Sequence, residues 1–254
     1  MARRVQAGQY IHLLAPAPRG LLLPAIPVAG YDRTGGTVVM LLDARSGAGH
    51  LLALRPGDEA QLDGPLGQGF GIDARSRHLL IVTDDAGVGR VRALLDGAVG
   101  TGRQVTLLLG APTAAEVFPS SLLPDEVEYV VVTEDASLGH GGLVLDLVPD
   151  YEAWADQCFA SGSGPLLAAL AALARGRDAR LGVARLGRRR GKRAEPTPSE
   201  VRRRSWLQVA LVHETGCALG VCLGCVIPGA DGPLRICREG PAFGAGEIAW
   251  ERRR

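Results

Sequence analysis

The stretch ETGCALGVCLGCVIP, residues 214–228, decides how this chain is read. It holds Cys217, Cys222 and Cys225, and with Cys237 the spacing becomes C-x4-C-x2-C-x11-C. Thiolates ligate iron–sulfur clusters, and the first three cysteines follow the plant-type [2Fe–2S] spacing, in which one loop wraps the cluster and a fourth Cys arrives from further on. Gly216, Gly220 and Gly224 thread the same loop. Lacking a Cβ, they let the backbone turn left-handed and bring N–H groups close to cluster sulfurs. A structural zinc site and a disulfide pair remain the alternatives, although zinc sites usually pair two short knuckles and only Cys222 and Cys225 form one.

Outward from this loop the composition is that of a globular chain. With 254 residues and 46% hydrophobic content it can bury sizeable cores in about two domains, and with 4% aromatic residues those cores are built from Leu, Val and Ala. Such cores suit buried parallel strands. Four clustered cysteines argue for a reducing, cytoplasmic setting. Gln6 and Gly8 interrupt any signal-peptide apolar run, and the apolar stretch Leu166 to Ala174 is too short to span a bilayer. No membrane contact is expected.

The net charge of +1 hides an asymmetry: between Arg175 and Arg204 stand twelve Arg and Lys against three acids. Pro196, Pro198 and Ser199 and the scarcity of apolar residues give 187–205 the composition of a solvated basic linker. Without interleaved aromatic residues to stack on bases, nucleic-acid binding is not expected.

Before position 75, short apolar runs (Tyr10–Leu14, Thr37–Leu42, Glu59–Leu62) alternate with turn signals such as Gly35-Gly36 and Pro56-Gly57, the pattern of a small antiparallel barrel. From His78 to Leu186, strand-like runs (Leu79–Thr83, Val105–Leu109, Tyr129–Thr133, Leu181–Ala184) alternate with helix-like stretches (Val88–Val99, Pro165–Ala174), which predicts βαβ units and a parallel sheet. Trp206–Val212 reads as a strand leading into the cysteine loop.

The cysteine loop, RICREGPAF (235–243), GQYIHL (8–13), LRPGDEAQLDGPLGQGF (54–70) and TEDASLGHGGLVLDLV (133–148) together resemble the electron-transfer subunit of class 1B dihydroorotate dehydrogenase, an iron–sulfur flavoprotein of the ferredoxin reductase superfamily. The resemblance spans nearly the whole chain, and the cysteine loop and GPLGQGF are its most specific parts. It implies a multidomain β plus α/β protein. An FAD-binding-type antiparallel β-barrel would occupy 1–74, a Rossmann-like NAD-binding-type α/β domain 77–186, a basic linker 187–205 and a [2Fe–2S] module 206–254. It further implies that Cys217, Cys222, Cys225 and Cys237 hold the cluster, that Pro24, Gly47 and Gly49 contact FAD, and that Gly87 and Gly89 contact NAD(H). Electrons would pass to an FMN-containing catalytic subunit that oxidises dihydroorotate in pyrimidine biosynthesis, in a hetero-oligomer.

Departures from the family pattern bear on two of these cofactors. An Arg-Pro-x-Ser flavin motif is replaced by Leu23-Pro24-Ala25-Ile26, and a Gly-x-Gly-Thr contact by Gly47-Ala48-Gly49-His50. The turn that should present bare amides to a phosphate reads Asp84-Asp85-Ala86-Gly87-Val88-Gly89. A carboxylate about 4 Å from a phosphate costs on the order of 1 kcal/mol in water and several times more near a protein surface. The same pair also suits a helix start, where the dipole favours carboxylates. A Cys-Gly-Pro stretch expected near the nicotinamide appears as Ser161-Gly162-Ser163.

Other conspicuous residues read as structural: Cys158 as a small buried hydrophobe, His140 as part of a turn, and His213 as a neighbour of an already complete ligand set. No Ser-His-Asp set, paired catalytic carboxylates or Walker-type loop is present, so no catalytic residue is assigned. Three functions fit: the dihydroorotate dehydrogenase partner, the same kind of subunit serving a hydrogenase or another NAD(P)H- or ferredoxin-linked oxidoreductase, and a [2Fe–2S] relay that has lost flavin and nucleotide binding.

Overall fold

The computed structural model describes residues 2–13, 25–42, 52, 54–180, 198–211 and 217–252. Near the N-terminus, β1 (Tyr10–Leu13), β2 (Ile26–Asp32), β3 (Thr37–Met40) and β4 (Leu62–Leu66) form an antiparallel sheet in the order β3-β2-β1-β4. Its inner side chains are Val5, Ile11, Leu13, Ile26 and Val28. Ile26, at the position of the family's flavin-facing serine, is therefore part of the barrel core. Pro24, Gly47 and Gly49 lie outside the described residues, as do His213 and the expected strand Leu181–Ala184.

A second sheet of seven strands comprises β5 (His78–Asp84), β6 (Gln104–Ala111), β7 (Val127–Thr133), β8 (His140–Gly141), β9 (Gln157–Ser161), β10 (Leu207–Ala210) and β13 (Ala242–Gly244). The order is β13-β10-β9-β5-β6-β7-β8, parallel throughout except for β13 against β10. The apolar runs are continuous because both faces are covered. Leu79, Ile81 and Phe159 face α1 (Val88–Val99), while Leu80, Val82 and Cys158 face α2 (Val144–Glu152) and α3 (Gly164–Arg180). Cys158 is indeed a core residue, and burial pushes its thiol far above the ordinary range.

The C-terminal segment packs against the large sheet. After β10, the cysteine loop leads into the hairpin β11 (Val226–Pro228) and β12 (Pro233–Arg235), then α5 (Ile236–Glu239), before β13 returns to the large sheet. Cys225, Ile227, Ile236, Cys237 and Phe243 belong to the same apolar cluster as Leu80 and Leu170. The basic segment also differs from a wholly solvated linker. Its described end is α4 (Pro198–Arg204), and Arg202 is buried, because the helix turns that one arginine inward against Phe243, 5.6 Å from the ring centre.

Candidate metal centre

The two segments most specific in the sequence touch each other. The GPLGQGF stretch leaves β4 and pairs with the residues just after Cys237: Gln68 N–H donates to Gly240 O at 2.5 Å and Ala242 N–H to Gln68 O at 3.2 Å. Gly67 has φ +74°, and a Cβ there would stand 2.5 Å from Gly240 O and 2.6 Å from Pro241 Cδ. Only glycine allows this approach, and it fixes the antiparallel sheet to the segment carrying the fourth cysteine.

The thiols of Cys217, Cys222, Cys225 and Cys237 are all free of disulfides and come in two pairs. Cys217 Sγ accepts N–H bonds from Leu219 and Cys222, each at 3.4 Å, and also interacts with the Cys222 thiol. Cys225 Sγ accepts from Cys237 N–H at 3.4 Å and interacts with the Cys237 thiol, while Gly224 N–H lies 3.5 Å from Cys222 Sγ. Among the described residues, no three His, Cys, Asp or Glu side chains are grouped in metal-holding range. The two pairs sense each other: after burial and its partner Cys225, the charge of Cys217 in the other pair also raises the Cys237 pKa.

The loop conformation makes the amides available. Ala218 (φ 52°), Gly220 (φ 78°) and Leu223 (φ 58°) are left-handed. Two of the three are not glycines, so the loop stores on the order of 1–2 kcal/mol at each of Ala218 and Leu223 to aim its N–H groups inward. Gly224, expected to turn left-handed, does not. The outcome is electrostatic asymmetry. The N–H of Cys222, then those of Leu219 and Val221, hold the Cys217 thiol down to about 6, whereas burial first and Cys225 second push Cys237 up to about 12. Arg235 stands beside the loop, donating to Gly220 O at 3.3 Å and pairing with Glu239 at 2.5 Å; the Glu239 hydrogen bond first, and the charges of Cys237 and Cys225 last, raise the Arg235 pKa.

A family model for the iron–sulfur cluster binding domain of dihydroorotate dehydrogenase B matches residues 214–249, which is this loop and hairpin. Over 252 residues the chain is 30% identical to a dihydroorotate dehydrogenase B (NAD(+)) electron transfer subunit of Shouchella clausii, covering 96% of this chain and 86% of the relative. The chain belongs to the family of dihydroorotate dehydrogenase B electron-transfer subunits. The corresponding protein of Geobacillus thermodenitrificans is 28% identical, with 98% of this chain and 88% of that one covered. A solved structure of an NADH-dependent reduced ferredoxin–NADP oxidoreductase, 19% identical, covers 98% of this chain and 82% of its own with a TM-score of 0.74. A ferredoxin reductase of carbazole 1,9a-dioxygenase, 18% identical, covers 68% of this chain and 57% of its own with a TM-score of 0.54. These likenesses give the fold, which is ferredoxin-reductase-like. A dihydroorotate dehydrogenase B electron-transfer subunit works with a catalytic dehydrogenase, and the C-terminal segment is its iron–sulfur domain.

The residues present fit such a cluster. Four free thiols stand on one loop and hairpin as two pairs, and backbone N–H groups point at the sulfurs of Cys217, Cys222 and Cys225, the kind of donors that an iron–sulfur centre uses. At the nucleotide-type turn the fit is different. Gly87 N–H is committed to Asp84, and a Cβ on Gly89 would meet Pro27 and Leu41 at 3.2 and 3.4 Å, so Gly89 serves the contact between α1 and the antiparallel sheet. Ser161, in place of the expected thiol, is buried and donates to Ala210 O at 3.1 Å. His140 is exposed in its short edge strand. Sequence reading missed Arg90, which is half-buried in the first turn of α1 and donates to Ala86 O at 3.3 Å; burial pulls its pKa down to about 10. It lines a narrow cavity with Gly8, Tyr10, Pro27, Ile236 and Pro241, between the antiparallel sheet and the cluster segment.

Proposed function

We propose that this chain carries electrons one at a time to and from an FMN-containing dihydroorotate dehydrogenase subunit through a [2Fe–2S] cluster, with Cys217 and Cys222 on one iron and Cys225 and Cys237 on the other. The pairing of the thiols supports the assignment to irons, since each iron of such a cluster takes two protein ligands. The centre supplies one-electron chemistry when bound. The protein's part is to orient the four sulfurs, to direct N–H groups at them and to bury Cys225 and Cys237 while Cys222 stays exposed. FAD belongs to the same reading, with Pro24, Gly47 and Gly49 as the residues that would hold it. The chain is placed in the cytoplasm, where thiolate ligands stay reduced; no helix among the described residues is long and apolar enough to cross a membrane.

The observation that carries this reading is the apolar rim of the cysteine loop. Leu219, Val221 and Leu223 are 68%, 72% and 61% exposed around Cys222, with Val226 beside them. An exposed apolar patch of this kind marks an interaction surface, and here it encircles the most accessible ligand, so the catalytic subunit seated on it would bring its flavin within reach. Val221→Asp together with Leu223→Asp should leave iron content unchanged. Electron transfer from the pre-reduced chain to the catalytic subunit, followed in stopped flow, should fall at least about tenfold, since burying even one unpaired charge in an interface costs several kcal/mol. Undiminished transfer would refute the docking surface.

Two further expectations arise at the cofactors. Arg235→Gln should make the midpoint potential more negative in a redox titration, because the reduced centre carries one more negative charge and loses a nearby cation. For FAD, losing a charged hydrogen bond typically costs about 1.5–3 kcal/mol, one to two decades in affinity, so Leu23→Arg should tighten binding by about that much in fluorescence titration. Restoring serine at Ile26 is not part of this test, since Ile26 fills the barrel core.

A further inference from the structure

The large sheet changes direction between β5 and β9: β6, β7 and β8 follow on one side of β5, and β10 lies beyond β9 on the other. In open α/β sheets the crevice beyond the carboxyl ends of the strands at such a point is where a nucleotide lies, with its phosphates against helix N-termini. The two helices that start there are α1, after β5, and α3, after β9. In this chain the crevice already contains an anion. The Asp84 carboxylate reaches from the end of β5 to both helix starts: Oδ1 accepts Gly87 N–H at 3.0 Å and Oδ2 accepts Ser163 N–H at 2.6 Å. The surroundings close around it. A Cβ on Gly162 would lie 2.6–2.7 Å from the Asp84 carboxyl group, and one on Gly87 would collide with Ser161 O.

We propose that Asp84 is a built-in substitute for the nucleotide phosphate, so that this subunit is closed to pyridine nucleotides at its α1 and α3 helix starts and is reduced by a redox protein partner instead. This rests on the reading of the chain as an electron-transfer subunit and names where its electrons come from. A phosphate would have to displace a carboxylate that makes two N–H bonds, and would meet its charge if it stayed. Arg90 offsets part of that charge from the first turn of α1 without holding the carboxylate, which lies beyond its hydrogen-bonding contact with Ala86 O. Asp85 also borders the turn, and its substitution serves as the control.

The test uses cluster-loaded protein, with NADH as the probe, in calorimetry and in stopped-flow reduction of the visible chromophore. The unmodified chain should show no saturable NADH binding up to millimolar concentration. Asp84→Gly should bind at least about tenfold more tightly, the change expected when a like charge leaves the neighbourhood of a phosphate. Asp84→Asn, which keeps the shape of the side chain, should move in the same direction, and Asp85→Asn should behave as the unmodified chain. Far-UV circular dichroism and iron content establish that each variant is folded. Micromolar NADH binding by the unmodified chain would overturn the proposal. So would folded Asp84 variants that bind NADH no better than the unmodified chain, because the closure would then lie elsewhere. Transfer from the dithionite-reduced chain to the catalytic subunit is measured separately; its failure would count against the electron-transfer reading and leave the nucleotide result standing.

Discussion

Cys222→Ser is expected to leave a folded chain that has lost nearly all of its iron and acid-labile sulfide, against about two of each in the unmodified protein purified without oxygen. Cys222 is the exposed thiol of the proposed ligand set, so replacing it disturbs no packing, whereas Cys225 and Cys237 are part of the apolar cluster beneath the large sheet. Serine keeps the volume and the polarity but is a poor match for iron at neutral pH, where its hydroxyl stays protonated. The loop is already strained at Ala218 and Leu223, and with three ligands left it has less binding energy to hold that conformation. Metal and sulfide analysis with visible absorption before and after dithionite decides the outcome. One zinc per chain and no sulfide in the unmodified protein would replace the assignment by a structural zinc site.

Much of the fold was legible because buried parallel strands announce themselves as continuous apolar runs. The expected helix over Val88–Val99 coincides with α1, and the runs at 79–83, 105–109 and 129–133 fall inside β5, β6 and β7. What was missed carries breakers or brevity. β2 contains Pro27 and Gly30, and Pro27 is tolerated because it sits next to the first residue of the strand. Pro149 lies inside α2 and disguised it. β4 runs later than the expected Glu59–Leu62 because Gly64 and Pro65 continue the strand toward Gly67, where the sheet meets the cluster segment. Spacing alone singles out the four cysteines as candidates, but it does not show that their thiols stand as Cys217 with Cys222 and Cys225 with Cys237. Likewise, Asp84 and Asp85 read equally as repulsion of a phosphate or as a helix cap. The structure shows Asp84 capping two helix starts that stand far apart in sequence, a coincidence that only topology creates. Composition also could not show which arginine of a basic run turns inward.

That inward arginine gives the largest expected loss of stability. Arg202 is 5% exposed; its Nη2 donates to Glu239 O at 2.7 Å, at the end of the helix that carries Cys237, and its Nε lies 3.6 Å from Glu247. The side chain thus ties α4 to α5 and to the turn after β13. Arg202→Ala should destabilise the protein by about 3–5 kcal/mol, because removing one partner of a buried pair leaves the other charge uncompensated. For a chain of this size a loss of 3 kcal/mol lowers the melting temperature by roughly 6–12 °C. The pH dependence has a definite sign. Burial raises the Glu247 pKa above its ordinary 4.5, and Arg202 opposes that rise. Without Arg202 the folded-state value climbs further, so the variant keeps its stability below the unfolded pKa and loses it as the pH rises through the folded one. The gap from the unmodified protein should therefore be smaller at pH 4 than at pH 7. Arg202→Met combined with Glu247→Leu should recover most of the loss, since apolar replacement of a buried pair is often neutral. A melting curve for Arg202→Ala indistinguishable from that of the unmodified protein would mean that the basic segment is not a tether but a solvated linker.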